Sequence, residues 1–274
     1  MRASHRPSAR GWGGLQWLVV MILRDQVYAQ KAGGDLTFDL IRPDSDAELP
    51  LVMCIHGGGW ISGEKEAFWE EAEWLATEGF AVACISYRLA PLYPFPAAIA
   101  DVQDFITFAR TQADAWKIRP DQICTLGNSA GGHLALMGGY CRNHLETGEP
   151  TTPANAVVDI CGIADLRIPE GSDYGIAQSF LEQFMDGPYV GNEEKWERAS
   201  PMVYASPESP RTLILHGDQD DVVPVELSQN LHAALRDMGV PCEYHELPGE
   251  GHSFTWEGWQ AIRGHYRKFL GEFA

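Results

Sequence analysis

The chain has 274 residues, of which 45% are hydrophobic, and it carries 20 Lys and Arg against 38 Asp and Glu for a net charge of −18. That length fits one large α/β domain whose core needs no disulfide or metal staple. The negative field repels phosphate backbones and so excludes nucleic acid as a partner, and no apolar run reaches the ~18 residues of a membrane-spanning helix.

At the N-terminus, Arg2, Arg6 and Arg10 precede an apolar run from Leu15 to Leu23, an outline shared with signal peptides. Arg24 and Asp25 follow at once, and the small-residue cleavage pattern is weak. The preferred reading starts the fold at Met21 and leaves residues 1–20 as an extension of a cytoplasmic protein. The alternative is export, with residues 1–30 as the signal.

Strand-like and helix-like segments then alternate. LTFDLI (36–41) alternates like a strand, and LVMCI (51–55) is a short continuous apolar run, as expected of a strand buried on both faces. Residues 67–77 read as a helix, FAVACIS (80–86) as a strand, and 97–111 as a helix with Ile99, Val102, Phe105, Ile106 and Ala109 on one face. QICTL (122–126) is a strand and 130–140 a helix. Strands follow at 156–161, 212–215 and 242–247, with helices at 225–238 and 256–270. This alternation predicts a mostly parallel sheet with helices on both faces. The stretch 163–210 breaks the rhythm and is expected to form a small cap, so that 21–274 make one domain. Its aromatics Phe180, Phe184, Tyr189 and Trp196 either line a pocket or hold the cap down. The six cysteines include no C-x-x-C pair and read as small buried hydrophobes rather than disulfides or metal ligands.

Four motifs carry chemistry. GNSAGG (127–132) matches G-x-S-x-G between a strand and a helix, the context in which a serine projects from a tight junction beside free helix N-terminal amides. HGGGW (56–60) follows a strand, and its glycines let backbone amides approach a developing oxyanion; it lacks the Lys-Ser/Thr of a phosphate loop. HGDQDDVVP (216–224) and GEGH (249–252) place an acid and then a histidine just past two strand ends, where an open parallel sheet sites its chemistry.

With SYRLAPLYPFPAAIAD (86–101) and Ser200-Pro201, these motifs make the chain resemble the esterase branch of the α/β-hydrolase superfamily, near the hormone-sensitive-lipase-like and bacterial feruloyl/acetyl-esterase-like carboxylesterases. The resemblance runs from about Asp25 to the C-terminus. Leu92 and Asn128 depart from it, since relatives often carry acids there. It implies the α/β-hydrolase fold, a triad of Ser129, Asp220 and His252, and oxyanion amides from Gly58, Gly59 and Ala130. Of the acids near His216, it selects Asp220 over Asp218, expected to cap its own turn, and Asp221, expected to face solvent. His133 is read as a packing residue and His56 as a support for the glycine loop. The expected activity is hydrolysis of a small ester without metal or organic cofactor. An aryl-formamidase, an exopeptidase and a non-catalytic receptor on the same fold are the alternatives. The sequence leaves the oligomeric state open.

Overall fold

Successive side chains of a strand point to opposite faces, and in Leu49–Ile55 both faces are buried: Leu51, Met53 and Ile55 join one core, Val52 and Cys54 another. The structure, a computed structural model, describes residues 4–7, 19–167 and 176–274. Its strands are β1 (Ser4–Pro7), β2 (Val19–Lys31), β3 (Gly34–Pro43), β4 (Leu49–Ile55), β5 (Ala81–Ile85), β6 (Ile118–Asn128), β7 (Ala156–Ile160), β8 (Arg211–Gly217) and β9 (Cys242–Leu247). They form one sheet in the order β1-β2-β3-β5-β4-β6-β7-β8-β9. From β5 to β9 every pairing is parallel, whereas β1, β2 and β3 join antiparallel at one edge.

The helices are α1 (Trp69–Thr77), α2 (Ala97–Thr111), α3 (Ala113–Trp116), α4 (Ala130–Tyr140), α5 (Ile176–Met185), α6 (Glu193–Arg198), α7 (Pro201–Tyr204), α8 (Val225–Asp237) and α9 (Trp256–Phe273). One face of the sheet is covered by α2, α4 and α8, through residues such as Val102, Leu134 and Leu231; α1 and α9 cover the other through Leu75, Ile262 and Phe269. Five cysteines are buried and Cys242 is half-buried; none is in a disulfide. This is the mostly parallel, helix-covered sheet that the alternation predicts, and the α/β-hydrolase fold that the resemblance implies. Among the described residues, no helix is long and apolar enough to cross a membrane.

Two readings shift. The apolar run at 15–23 contributes a strand: β2 begins at Val19, and buried Val20 and Ile22 pair with Pro43 and Ile41, so the expected boundary at Met21 falls inside an ordered element. Its alternating inward residues are hidden within a continuous apolar run. The stretch expected to form a cap carries α5, α6 and α7, although 168–175 of the expected 163–210 lie outside the described residues.

Register aligns the strand ends. Ile55 pairs with Gly127, Gly127 with Asp159, and Gly217 with Leu247, so the loops carrying all four motifs leave the same C-terminal edge of the sheet.

Candidate active site

Ser129 sits between β6 and α4 with φ +55° and ψ −124°, a conformation non-glycine residues rarely adopt. Its neighbours explain how the chain reaches it. A Cβ at Gly131 would lie 2.1 Å from the Ile55 carbonyl oxygen, and one at Gly127 would lie 2.2 Å from the Gly131 carbonyl oxygen. Both obstacles are backbone, so neither can swing away. The Ser129 amide donates to the Ile160 carbonyl at 2.8 Å and fixes the turn to β7. Gly131→Ala is therefore expected to cost more than the ~1–3 kcal/mol of ordinary overpacking, and to lower Tm by about 10 °C or abolish soluble expression. Wild-type melting behaviour in a thermal scan of this variant would contradict the steric account.

The structure brings the three predicted side chains together across 123 residues of sequence: His252 Nε2 lies 2.9 Å from Ser129 Oγ, and His252 Nδ1 lies 2.7 Å from Asp220 Oδ2. The Asp220 side chain is buried, and its Oδ1 accepts the amides of Val222 at 2.9 Å and Val223 at 2.8 Å. Burial alone would raise its pKa; the hydrogen bonds from His216, His252 and the Val223 amide overcome this and hold the carboxyl well below the usual range. An ionised Asp220 only accepts, so His252 Nδ1 carries the hydrogen and the bare Nε2 accepts the Ser129 hydroxyl.

Interlocked loops place His252. Gln219 N–H donates to the Glu250 carbonyl at 2.9 Å, and Asp218 Oδ1 accepts the Gly249 amide at 2.7 Å. Asp218 thus ties its loop to the histidine loop instead of capping its own turn, a long-range partner that sequence spacing does not reveal. Asp221 is exposed, as expected. On the far side of His252, Glu250 accepts from both the Thr255 amide and hydroxyl, and Thr255 caps α9 by accepting the Gly258 amide at 3.1 Å.

Gly58 and Gly59 have φ of +111° and +60°, and a Cβ at Gly58 would meet the Ser62 carbonyl oxygen at 2.3 Å. Their amides find no protein acceptor among the described residues. Ala130 opens α4, where backbone amides have no intrahelical acceptor. A cavity of about 510 Å³ lies against Gly58 and Gly59, and Trp60, Ile163, Phe180, Val222 and Val223 wall it with Ser129 and His252.

The cap aromatics divide the work that the sequence leaves open. Phe180 lines the cavity against Gly59, whereas Phe184 stacks on buried Trp60 at 4.6 Å and Trp196 is fully buried. His133 accepts the Trp60 indole N–H at Nδ1, 3.1 Å away, and its Nε2 donates to the Ala199 carbonyl at 2.8 Å. Burial lowers its pKa to about 4, so it stays neutral and ties α4 to the cap, a packing role. His56 stacks on Tyr87 at 4.3 Å, and its Nδ1 lies 2.7 Å from the Gly57 carbonyl, which supports the glycine loop. Cys161 approaches Asp220 and His252 within 4.8 Å, but burial pushes its thiol well up and the other two already bond each other, an arrangement suited to a neutral thiol beside a hydrogen-bonded pair. His216, in the HG motif beside the acid, also bonds Asp220, with Nε2 3.1 Å from Oδ2, a contact the motif alone does not reveal.

Against this geometry, the sequence matches the BD-FAE family model over residues 38–235. The chain belongs to the BD-FAE family. Among curated proteins it is similar to Esterase LipQ of Mycobacterium tuberculosis, 32% identical over 78% of this chain and 52% of LipQ, and to Esterase LipC of the same organism, 31% identical over 75% of this chain and 53% of LipC. The chain spans about half the length of these relatives. Among solved structures it resembles native esterase 2 of Thermogutta terrifontis, with TM-score 0.79, 23% identity and coverage of 91% of this chain and 92% of that one. It also resembles a bifunctional GH43-CE protein of Bacteroides eggerthii, with TM-score 0.81, 27% identity and coverage of 92% of this chain and 38% of that one.

Proposed function

We propose that this BD-FAE family member is a serine carboxylesterase that hydrolyses small, short-acyl esters. The observation that carries the reading is the unbroken contact from Ser129 Oγ through the His252 ring to buried Asp220. In the proposed reaction, Ser129 Oγ attacks the ester carbonyl carbon while His252 Nε2 takes its proton. Asp220 holds the imidazole tautomer and stabilises the imidazolium. The amides of Gly58, Gly59 and Ala130 receive the oxyanion, each worth roughly 3–4 kcal/mol where such donors have been removed from other hydrolases. The imidazolium gives its proton to the leaving alcohol, and water then releases the acid from the acyl-enzyme by the same path. The names of the related proteins, esterases LipQ and LipC, accord with this reading.

The cavity sets the expected substrate. Phe180 closes on Gly59, and buried Trp60 and Phe184 back it, which leaves little depth for a long chain. A second cavity of about 690 Å³ shares Gly58, Asn128 and Trp259 with the first and presents Trp69 and the exposed Trp256, room for an alcohol larger than the acyl group. In a panel of esters of one alcohol, kcat/KM is expected to peak between acetyl and about hexanoyl and to fall beyond, because each further buried CH₂ adds only ~0.8 kcal/mol where it finds room. A steady rise into long-chain esters would overturn the short-acyl assignment, and absence of ester turnover across the panel would overturn the function.

A further inference from the structure

His216 ends the hydrophobic part of β8, where strand parity turns it to the same face as Ile214, and its side chain is fully buried. A buried imidazole needs partners at both nitrogens. Nε2 lies 3.1 Å from Asp220 Oδ2 and 3.0 Å from the Val223 carbonyl oxygen, two acceptors, so it carries a hydrogen. Nδ1 lies 2.7 Å from the hydroxyl of buried Ser228 on α8, which anchors the ring from behind. Asp220 Oδ2 therefore receives two imidazole N–H groups, from His252 at 2.7 Å and from His216, while Oδ1 receives two backbone amides. Three of the four donors come from its own loop and strand, and the fourth is His252, which must be aimed at Ser129.

We propose that His216 is the positioning residue of the acid: held by Ser228, it fixes the plane of the Asp220 carboxylate and thereby the direction in which His252 presents Nε2 to Ser129. The inference rests on the proposed role of Asp220 and His252. A carboxylate fixed only by the two amides at Oδ1 could still rotate Oδ2 away from the His252 ring. The His216 N–H also shares the negative charge of Oδ2, which moderates how strongly Asp220 holds an imidazolium at His252. Among the described residues, the charged or titratable groups around His216 include Asp220, His252 and the Cys161 thiol at the site, Glu246 opposite it on β9, and Asp159 on β7. Asp159 is buried with Oδ2 unpartnered among the described residues; burial pushes its pKa up to about 7, against the opposing influence of His216 and the Gly162 amide.

The test compares His216→Gln, whose side-chain amide can still donate to Asp220, with His216→Leu, which cannot, and with Ser228→Ala, which removes the anchor. For His216→Leu, kcat is expected to fall by roughly 100-fold with little change in KM, the scale of an ångström of misplacement at a reacting group. Its acid limb in kcat/KM should move to higher pH, because Asp220, relieved of one donor, holds the imidazolium more tightly. His216→Gln should recover most of the loss, and Ser228→Ala should show the same pattern more weakly. The far-downfield proton resonance of the His252–Asp220 hydrogen bond should shift in His216→Leu and return towards its wild-type position in His216→Gln; this readout needs no substrate. A folded His216→Leu protein with wild-type kcat, acid limb and resonance would overturn the proposal. So would a His216→Gln protein no better than His216→Leu, which would mean that the donor is not what matters. If His216→Leu fails to fold, an unchanged kcat, acid limb and resonance in Ser228→Ala would overturn it equally. A wild-type protein that turns over esters beside unmoved variants sinks the positioning role alone, whereas a wild type without ester turnover sinks the proposed function, and the resonance still decides the positioning.

Discussion

Asp220→Asn is expected to leave a folded protein whose kcat is lower by a factor on the order of 10³–10⁴, the scale on which a triad fails when its histidine is held in the wrong tautomer. The cause lies in donor and acceptor counting. Asp220 receives four donors: the imidazoles of His216 and His252 at Oδ2 and the amides of Val222 and Val223 at Oδ1. An asparagine has one acceptor oxygen and a donating NH₂. If the oxygen faces the two amides, the NH₂ meets both imidazoles, and His252 can bond it only by moving its hydrogen to Nε2, where it points at Ser129 and can no longer accept the serine proton. If the amide flips, the NH₂ opposes two backbone N–H groups. Either arrangement leaves buried donors unsatisfied at ~1–3 kcal/mol each, so a lowered Tm should accompany the loss of activity. Asp218→Asn keeps an oxygen able to accept the Gly249 amide, and Asp221 is exposed, so each of those variants should stay within about tenfold of wild type, as for a weakened hydrogen bond of ~1 kcal/mol. Steady-state kinetics on the three variants, with folding checked by circular dichroism, decides the assignment. If folded Asp218→Asn is the more damaged enzyme, Asp220 is not the acid.

The second large effect belongs to Ser129. Ser129→Ala should reduce kcat by a factor on the order of 10⁶, the loss recorded for removal of a triad nucleophile in subtilisin. The substitution adds no atoms, and alanine has no more difficulty than serine at φ +55°, so stability should change little. The residue's hydroxyl is bonded to His252, and its backbone, held by Ile160, makes the turn. Loss of activity without loss of fold separates the hydroxyl's chemistry from the turn's geometry. A folded Ser129→Ala protein that retains more than about a hundredth of wild-type kcat would mean that the nucleophile lies elsewhere, because the oxyanion amides and binding alone do not sustain that rate.

Much of this arrangement is legible in the sequence because it depends on local chemistry. Buried parallel strands read as continuous apolar runs, and Gly127 and Gly131 flag a junction where any Cβ would strike backbone. What escapes is what depends on distant partners. The pairing of Val20 and Ile22 with β3 is masked by the apolar run around them, Met21 between them included. The bond from the Gly249 amide to Asp218 joins loops separated by a strand and a helix, and the cap's division between Phe180 at the cavity and Phe184 against Trp60 depends on tertiary packing. His216 is the clearest case. Its motif stands beside the acid in the sequence, but only burial and the three partners at its ring nitrogens show that it bonds the same carboxylate oxygen as His252.

The most direct test of the central claim is to treat the intact protein with a fluorophosphonate, map the adduct by peptide mass spectrometry and follow ester hydrolysis in the same sample. An activated Ser129, in contact with His252 and facing the cavity, should take up a single equivalent, with hydrolysis lost in proportion to labelling and no adduct formed in Ser129→Ala. An adduct on another serine that tracks the loss of activity, or labelling that persists in Ser129→Ala, would contradict the account.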